Sequence, residues 1–229
     1  MENSEDRLIK IFKELQNEGS IEKKRQLKKT SFTGQIQGIF NKIRYNEKFY
    51  KNHLSNLNDN QLKYVLLHEE GHIIRGCILD YIWLFIFVIG GICIFYWPIR
   101  GFFDFVFVIN GNIYTFTQLG RFFIEIFSCL IYILITFPLL YRLFYSRMYH
   151  AEFKADEYAA NCLREKNGIS NPSAIMKETF EQILSKYEFG IKEKLIAIIL
   201  QFIGFYPGYH PSEGERILYI KNKFDVSLS

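Results

Sequence analysis

The sequence predicts a mainly α-helical domain with a small β-sheet, interrupted by a transmembrane helical hairpin. Two observations carry that architecture: charge is spread unevenly along the 229 residues, and amphipathic helical patterns stand on both sides of the charge-poor part. Residues 77–145 hold 6 charged side chains in 69 positions, whereas the other 160 positions hold 46. The mean hydropathy of −0.01 is therefore an average over two kinds of sequence. With 49% hydrophobic residues the chain is not mainly disordered. Three parts follow: 1–76 with a basic helix, a small sheet and a motif-bearing helix; 77–145, the hairpin; and 146–229, which completes the domain begun by 1–76.

In chain order, residues 5–29 read as helical, with Leu8, Ile9, Phe12 and Leu15 on one face and the basic run Lys23, Lys24, Arg25, Lys28, Lys29 after it. The formal net charge of +4 resides here, since residues 1–76 hold 14 basic and 10 acidic groups. Beside a membrane anchor this run suits anionic lipid headgroups better than nucleic acid, and a solvated helix face explains it equally well. Residues 32–50 show β-like alternation broken by Gly34, Gly38 and Asn41, the mark of a small hairpin or sheet. From Asp59 the pattern is helical, capped by Asn58 or Asp59, with Leu62, Val65, Leu66 and Leu67 as its apolar faces.

Tyr81 to Ile99 contains no charge over 19 residues, enough at about 1.5 Å per residue to cross roughly 30 Å of hydrocarbon. Phe122 to Tyr141 is a second run, carrying Glu125 near its start and Pro138 near its end. Tyr81, Tyr96, Trp97, Tyr141 and Tyr145 lie at the ends of these runs, where amphipathic rings suit a membrane boundary. Two spans put both flanks on one side, with 100–121 as an excursion on the other. Arg75, Arg142 and Arg147 close to the spans, and the basic N-terminal segment, favour cytoplasmic flanks. MENSEDRLIKIFKEL has no apolar h-region, so a cleavable signal peptide is not expected. Of the four cysteines, Cys93 and Cys129 fall in the apolar runs and Cys77 and Cys162 show no paired spacing, which argues against a disulfide framework.

The chemistry starts on the helix after Asn58, where His68, Glu69, Glu70, Gly71 and His72 form H-E-x-x-H. Residues four apart stack on one helix face, so both imidazoles can reach one zinc ion, with Glu69 beside them as general base. Zinc acidifies a water molecule and the carboxylate takes its proton as it attacks a carbonyl. A third ligand is needed, and Glu152 in SRMYHAEFKADEYAANCL supplies one from a second helix. Asp156, one turn on, shares its face and is placed to orient a ligating histidine or anchor an arginine. His150 offers the same chemistry but points elsewhere on that helix, and a solvated acidic face is the plain alternative for Glu152, Asp156 and Glu157.

Taken together, LNDNQLKYVLLHEEGHI, SRMYHAEFKADEYA and YHPSEGERI resemble, in order, the motif segments of the HtpX-like and CAAX-prenyl-protease-like integral membrane zinc metallopeptidases, of the gluzincin kind, over roughly residues 30–222. The resemblance implies a gluzincin-type domain with one catalytic zinc ion on His68, His72 and Glu152, Glu69 as base and Asp156 beside the ligands. It further implies His210 as a donor to the tetrahedral oxyanion and Arg216 as a structural or electrostatic partner. Substrates would be proteins or peptides, and the family suggests membrane-protein quality control. Two departures stand out: the compact S-R-x-R-E pattern before the third ligand is absent, and no span precedes the active-site helix, which argues against CAAX processing. Residues 191–205 include an apolar run too short for a third span, suited to core or to a membrane surface. HEEGHIIRGCILD also resembles the membrane sensor proteases of β-lactam signalling, against which the HPSEGERI segment argues. The non-enzymatic alternative is a membrane sensor or scaffold with a regulatory or inactive site. Finally, the strand region Phe32 to Phe49 is placed to pair an extended substrate by β-addition.

Overall fold

A computed structural model describes residues 4–31, 36–76, 146–184 and 211–225, together with isolated helical positions between 82 and 130. The proposed spans, the 100–121 excursion, the 191–205 run and His210 lie outside the described residues, apart from those isolated positions. Among the described residues, no helix is long and apolar enough to cross a membrane.

Helix α1 (Ser4–Asn17) buries Leu8, Ile11, Phe12 and Leu15. It ends a full 12 residues short of the expected limit at Lys29, because Gly19 adopts φ +69 and turns the chain back. Lys23 to Arg25 then lie in a loop, and Lys28 and Lys29 on strand β1 (Gln26–Lys29). Strands β2 (Ile36–Ile39) and β3 (Lys42–Tyr45) form the expected hairpin, turning at Phe40 and Asn41, with Phe40 at φ 53. Antiparallel pairing places Gly38 opposite Ile43, and β1 joins β3 in parallel, giving the order β1-β3-β2. The basic run therefore belongs largely to a sheet and its lead-in, not to a helix. A short helix α2 (Glu47–Phe49) continues as a wider turn over Tyr50–Leu54.

Helix α3 (Asp59–Arg75) starts at Asn58, whose side chain accepts from Gln61 N–H while the Gln61 side chain accepts from Asn58 N–H. It stops at Gly76, left-handed at φ 77. Leu62, Leu66 and Leu67 are fully buried, as are Gln61 and Glu70, so α3 is the central element rather than a surface helix. Against it packs α4, helical over 146–165, followed by α5 (Pro172–Leu184) and α6 (Glu213–Ile220). One core joins Leu8, Ile43 and Leu66 to Ala159, Leu163, Met176 and Ile220. Residues from both sides of the charge-poor segment thus share one hydrophobic interior.

Two glycines set how closely other elements approach α3. A Cβ on Gly71 would stand 2.8 Å from Ala155 Cα, so α3 and α4 touch backbone to backbone within the H-E-x-x-H motif. A Cβ on Gly38 would collide with the Glu69 carbonyl oxygen, so β2 lies directly on the same turn. Gly71→Ala is expected to push the two helices apart, costing about 1–3 kcal/mol of stability, and to weaken metal binding although Gly71 is not a ligand. Urea unfolding and zinc competition on the full chain check this; unchanged metal affinity would show that the close approach is immaterial to the cluster.

Candidate metal centre

The sequence divides the cluster between α3 and α4, and the close contact at Gly71 and Ala155 brings its halves together. His68 and His72 project from successive turns of α3, with their Nε2 atoms 3.1 Å apart. Glu152, buried on α4, places Oε2 3.4 Å from His68 Nε2 and Oε1 3.3 Å from His72 Nε2. Three atoms bound at about 2.0–2.2 Å to one tetrahedral ion would stand about 3.3–3.6 Å from one another. The donors lie near that spacing, with the two histidines on different oxygens of Glu152, and one ligand atom from each of His68, His72 and Glu152 lies within 4.8 Å of the others, a group that could hold a metal.

Behind it, Asp156 is fully buried and serves three neighbours. His68 Nδ1 lies 2.8 Å from Oδ1, which turns Nε2 toward the cluster. Arg216 of α6 donates from Nε to Oδ2 and from Nη2 to Oδ1, each at 2.7 Å, and its Nη1 lies 3.3 Å from Glu152 Oε2. Tyr64, one turn before His68, donates to Oδ1 at 2.7 Å. Burial alone would raise the Asp156 pKa, but Arg216 and then His68 outweigh it and hold it at about 2. Burial likewise works to lower the His68 pKa, and the carboxylates of Asp156 and Glu152 overcome it, raising the value to about 10. A cation bound at Nε2 would take the place of a proton there.

Glu69 turns toward β2. Its Oε2 accepts from the Gly38 backbone N–H at 2.5 Å, tying the carboxylate to β2. The next residue, Glu70, faces away and is fully buried against Arg25, whose Nε stands 3.0 Å from both carboxylate oxygens and whose Nη1 donates to Asn41. This pair fastens the lead-in to β1, and the β2–β3 turn, to the motif helix. A cavity of about 490 Å³ opens beside the cluster, with His68, Glu69, Glu152 and Arg216 on one wall.

The structure therefore brings His68, Glu69, His72, Glu152, Asp156 and Arg216 to one place, and His210 lies outside the described residues. His150 is exposed and is not in the metal-capable group. The sequence alone does not single out Tyr64, Gly38 or the Arg25–Glu70 pair as site residues. Tyr64 lies four residues before His68 on the same face, and a glycine inside an alternating strand signals a close approach, so two of the three carried a signal. Nothing local marks Arg25 as the partner of Glu70.

A helix-borne pair of histidines completed by a glutamate from a second helix, with an acid beside the pair, defines a metallopeptidase-type centre. The chain belongs to peptidase family M48, whose sequence model matches residues 37–223. It is thereby of the HtpX-like and CAAX-protease-like zinc metallopeptidases. Neither the curated proteins nor the solved structures give a match.

Proposed function

We propose that this protein is a zinc-dependent endopeptidase anchored in a membrane, with His68, His72 and Glu152 as the ligands and Glu69 as the general base. The observation that carries the reading is the cluster of His68, His72 and Glu152, with one ligand atom from each within 4.8 Å of the others, and Glu69 next to it accepting from the Gly38 backbone N–H. A zinc ion bound there supplies Lewis acidity, polarising the substrate carbonyl and acidifying water. The protein's own groups do the rest. Glu69 takes the proton of the attacking water and returns it to the departing amine. Asp156 keeps His68 in the orientation that presents Nε2, and Arg216 offsets the charge of Asp156 and Glu152. Strand β2 lies on the Glu69 turn, and an extended peptide added to the sheet beside it would pass the cluster.

The membrane part of the proposal rests on the charge-poor runs. Ile82, Phe85, Ile86 and Ile89 recur at helical spacing and are 45 to 64% exposed, a pattern suited to lipid and costly in water. Basic residues near the spans support cytoplasmic flanks, and proteins of the membrane itself are then the substrates nearest the site, consistent with a role in membrane-protein quality control.

Casein cleavage by the full chain in detergent, before and after removal of metal by a chelator and return of zinc, tests the activity. Cleavage should vanish on chelation and return with zinc. Glu152→Ala should lower bound zinc well below one per chain, and equal metal content in variant and parent would move the third ligand elsewhere. Stoichiometric zinc without any cleavage would instead favour the sensor or scaffold reading.

A further inference from the structure

Glu69 and Glu70 are neighbours on α3, so the helix repeat of about 100° per residue turns their side chains to different partners. Glu69 meets β2 through the Gly38 N–H, and Glu70 meets Arg25, which stands in the loop ahead of β1. From Arg25 the contacts lead back to the same hairpin. Its Nη1 donates to Asn41 Oδ1 at 2.6 Å, the next residue, Gln26, donates from its N–H to the Asn41 carbonyl at 3.1 Å, and Asn41 sits in the turn that follows β2. Contacts and chain together thus close a ring through Glu70, Arg25, Asn41, Gly38 and Glu69, leaving the motif helix at one residue and returning at the one before it. The Arg25 end is itself held, because its carbonyl accepts from Gln16 of α1 at 3.1 Å and its N–H donates to the Glu22 carbonyl at 2.9 Å.

Strand β2 needs such a tie. It is four residues long and stands last in the order β1-β3-β2, and so short a strand is weakly fixed by its ladder. Gly38 sets how near β2 comes to α3, and the Arg25 fork sets how far along the helix it lies. An ion pair is a poor choice for stability alone: Arg25 is 7% and Glu70 0% exposed, and two apolar side chains commonly stabilise a buried site as well or better. What the guanidinium adds is direction. Its planar fork aims donors at Glu70 and Asn41 together, which an apolar side chain cannot do.

We propose that Arg25 and Glu70 are positioning residues for the general base: through Asn41 they fix β2 so that the Gly38 N–H holds the Glu69 carboxylate in place beside the metal cluster. The role of Glu69 as base rests on the peptidase reading, and the placement of β2 can be read apart from hydrolysis. The test compares the zinc-loaded full chain in detergent with Arg25→Met/Glu70→Met, which replaces the pair by unbranched apolar side chains, and with Asn41→Ala, which cuts only the arm to the hairpin turn at an exposed position. Zinc content and thermal melting establish that each variant is folded and loaded. The double variant should melt close to the parent or above it and keep its zinc. Amide exchange over Ile36–Ile39, read by mass spectrometry, should become about tenfold faster. The kcat for labelled casein should fall about tenfold or more, with KM changed by less than about twofold. Asn41→Ala should move exchange and kcat in the same directions by about threefold each. A pair that only stabilises the fold would move the melting point and leave exchange at β2 and kcat of the folded protein alone. Parent-like exchange in both variants, or parent-like kcat where exchange has quickened, overturns the proposal, and if the double variant does not fold, Asn41→Ala decides by the same two readings. Faster exchange in the variants of a parent that cleaves nothing leaves Arg25 and Glu70 as the holders of β2 and refutes the peptidase reading alone.

Discussion

Glu69→Gln is expected to keep its zinc and lose hydrolysis by about 10²- to 10⁴-fold, the range that one positioned general base contributes. The amide oxygen of glutamine can still accept from the Gly38 N–H, so the contact of β2 with α3 is retained and the variant should fold as the parent does. What it cannot do is take a proton from water. Metal analysis with casein cleavage, run side by side on both proteins, separates these effects. Full turnover by the metal-loaded variant would assign the base to another residue. Loss of zinc together with activity would place Glu69 among the groups that hold the ion.

The second large effect is expected at Asp156, which touches neither ion nor substrate. Its carboxylate satisfies Arg216 twice, His68 and Tyr64, all in a buried setting. Asp156→Ala leaves the Arg216 guanidinium buried with Glu152 as its remaining ion-pair partner among the described residues and releases the His68 ring. Breaking a buried ion pair on one side costs about 3–5 kcal/mol, and losing the acceptor behind a ligating histidine weakens metal affinity by about 10- to 100-fold. Asp156→Asn, which keeps the shape and one acceptor oxygen, should fall between the two. Urea denaturation of the zinc-free proteins reads the first effect, and competition with a coloured chelator reads the second. If both substitutions leave stability and affinity where they were, the arrangement of His68, Arg216 and Tyr64 around Asp156 contributes nothing.

The site was more legible in the sequence than the fold around it, for physical reasons. The histidines four apart and the acids four apart obey the helix repeat, so their faces follow from spacing alone, and both pairs meet as that spacing requires. Arg216 came only through the resemblance of its segment, and its contact with Asp156 depends on how α6 returns to α4, which no local pattern encodes. The helix expected over residues 5–29 stops at Asn17, because the left-handed turn at Gly19 decides its end and the basic run continues into strand β1. Helix α5 lines the cavity with Phe180 and Ile183, yet its sequence holds no chemical motif, only an apolar face.

The proposed ion joins two helices that the sequence separates by the charge-poor segment. X-ray absorption at the zinc edge, on the full chain purified in detergent with zinc content determined in parallel, tests it most directly. One zinc per chain, bound by two imidazoles with the remaining donors oxygen, is the expected spectrum, and Glu152→Ala should lose or alter an oxygen contribution. A sulfur donor in the spectrum, or substoichiometric zinc that survives unchanged in both His68→Ala and Glu152→Ala, would contradict the assignment.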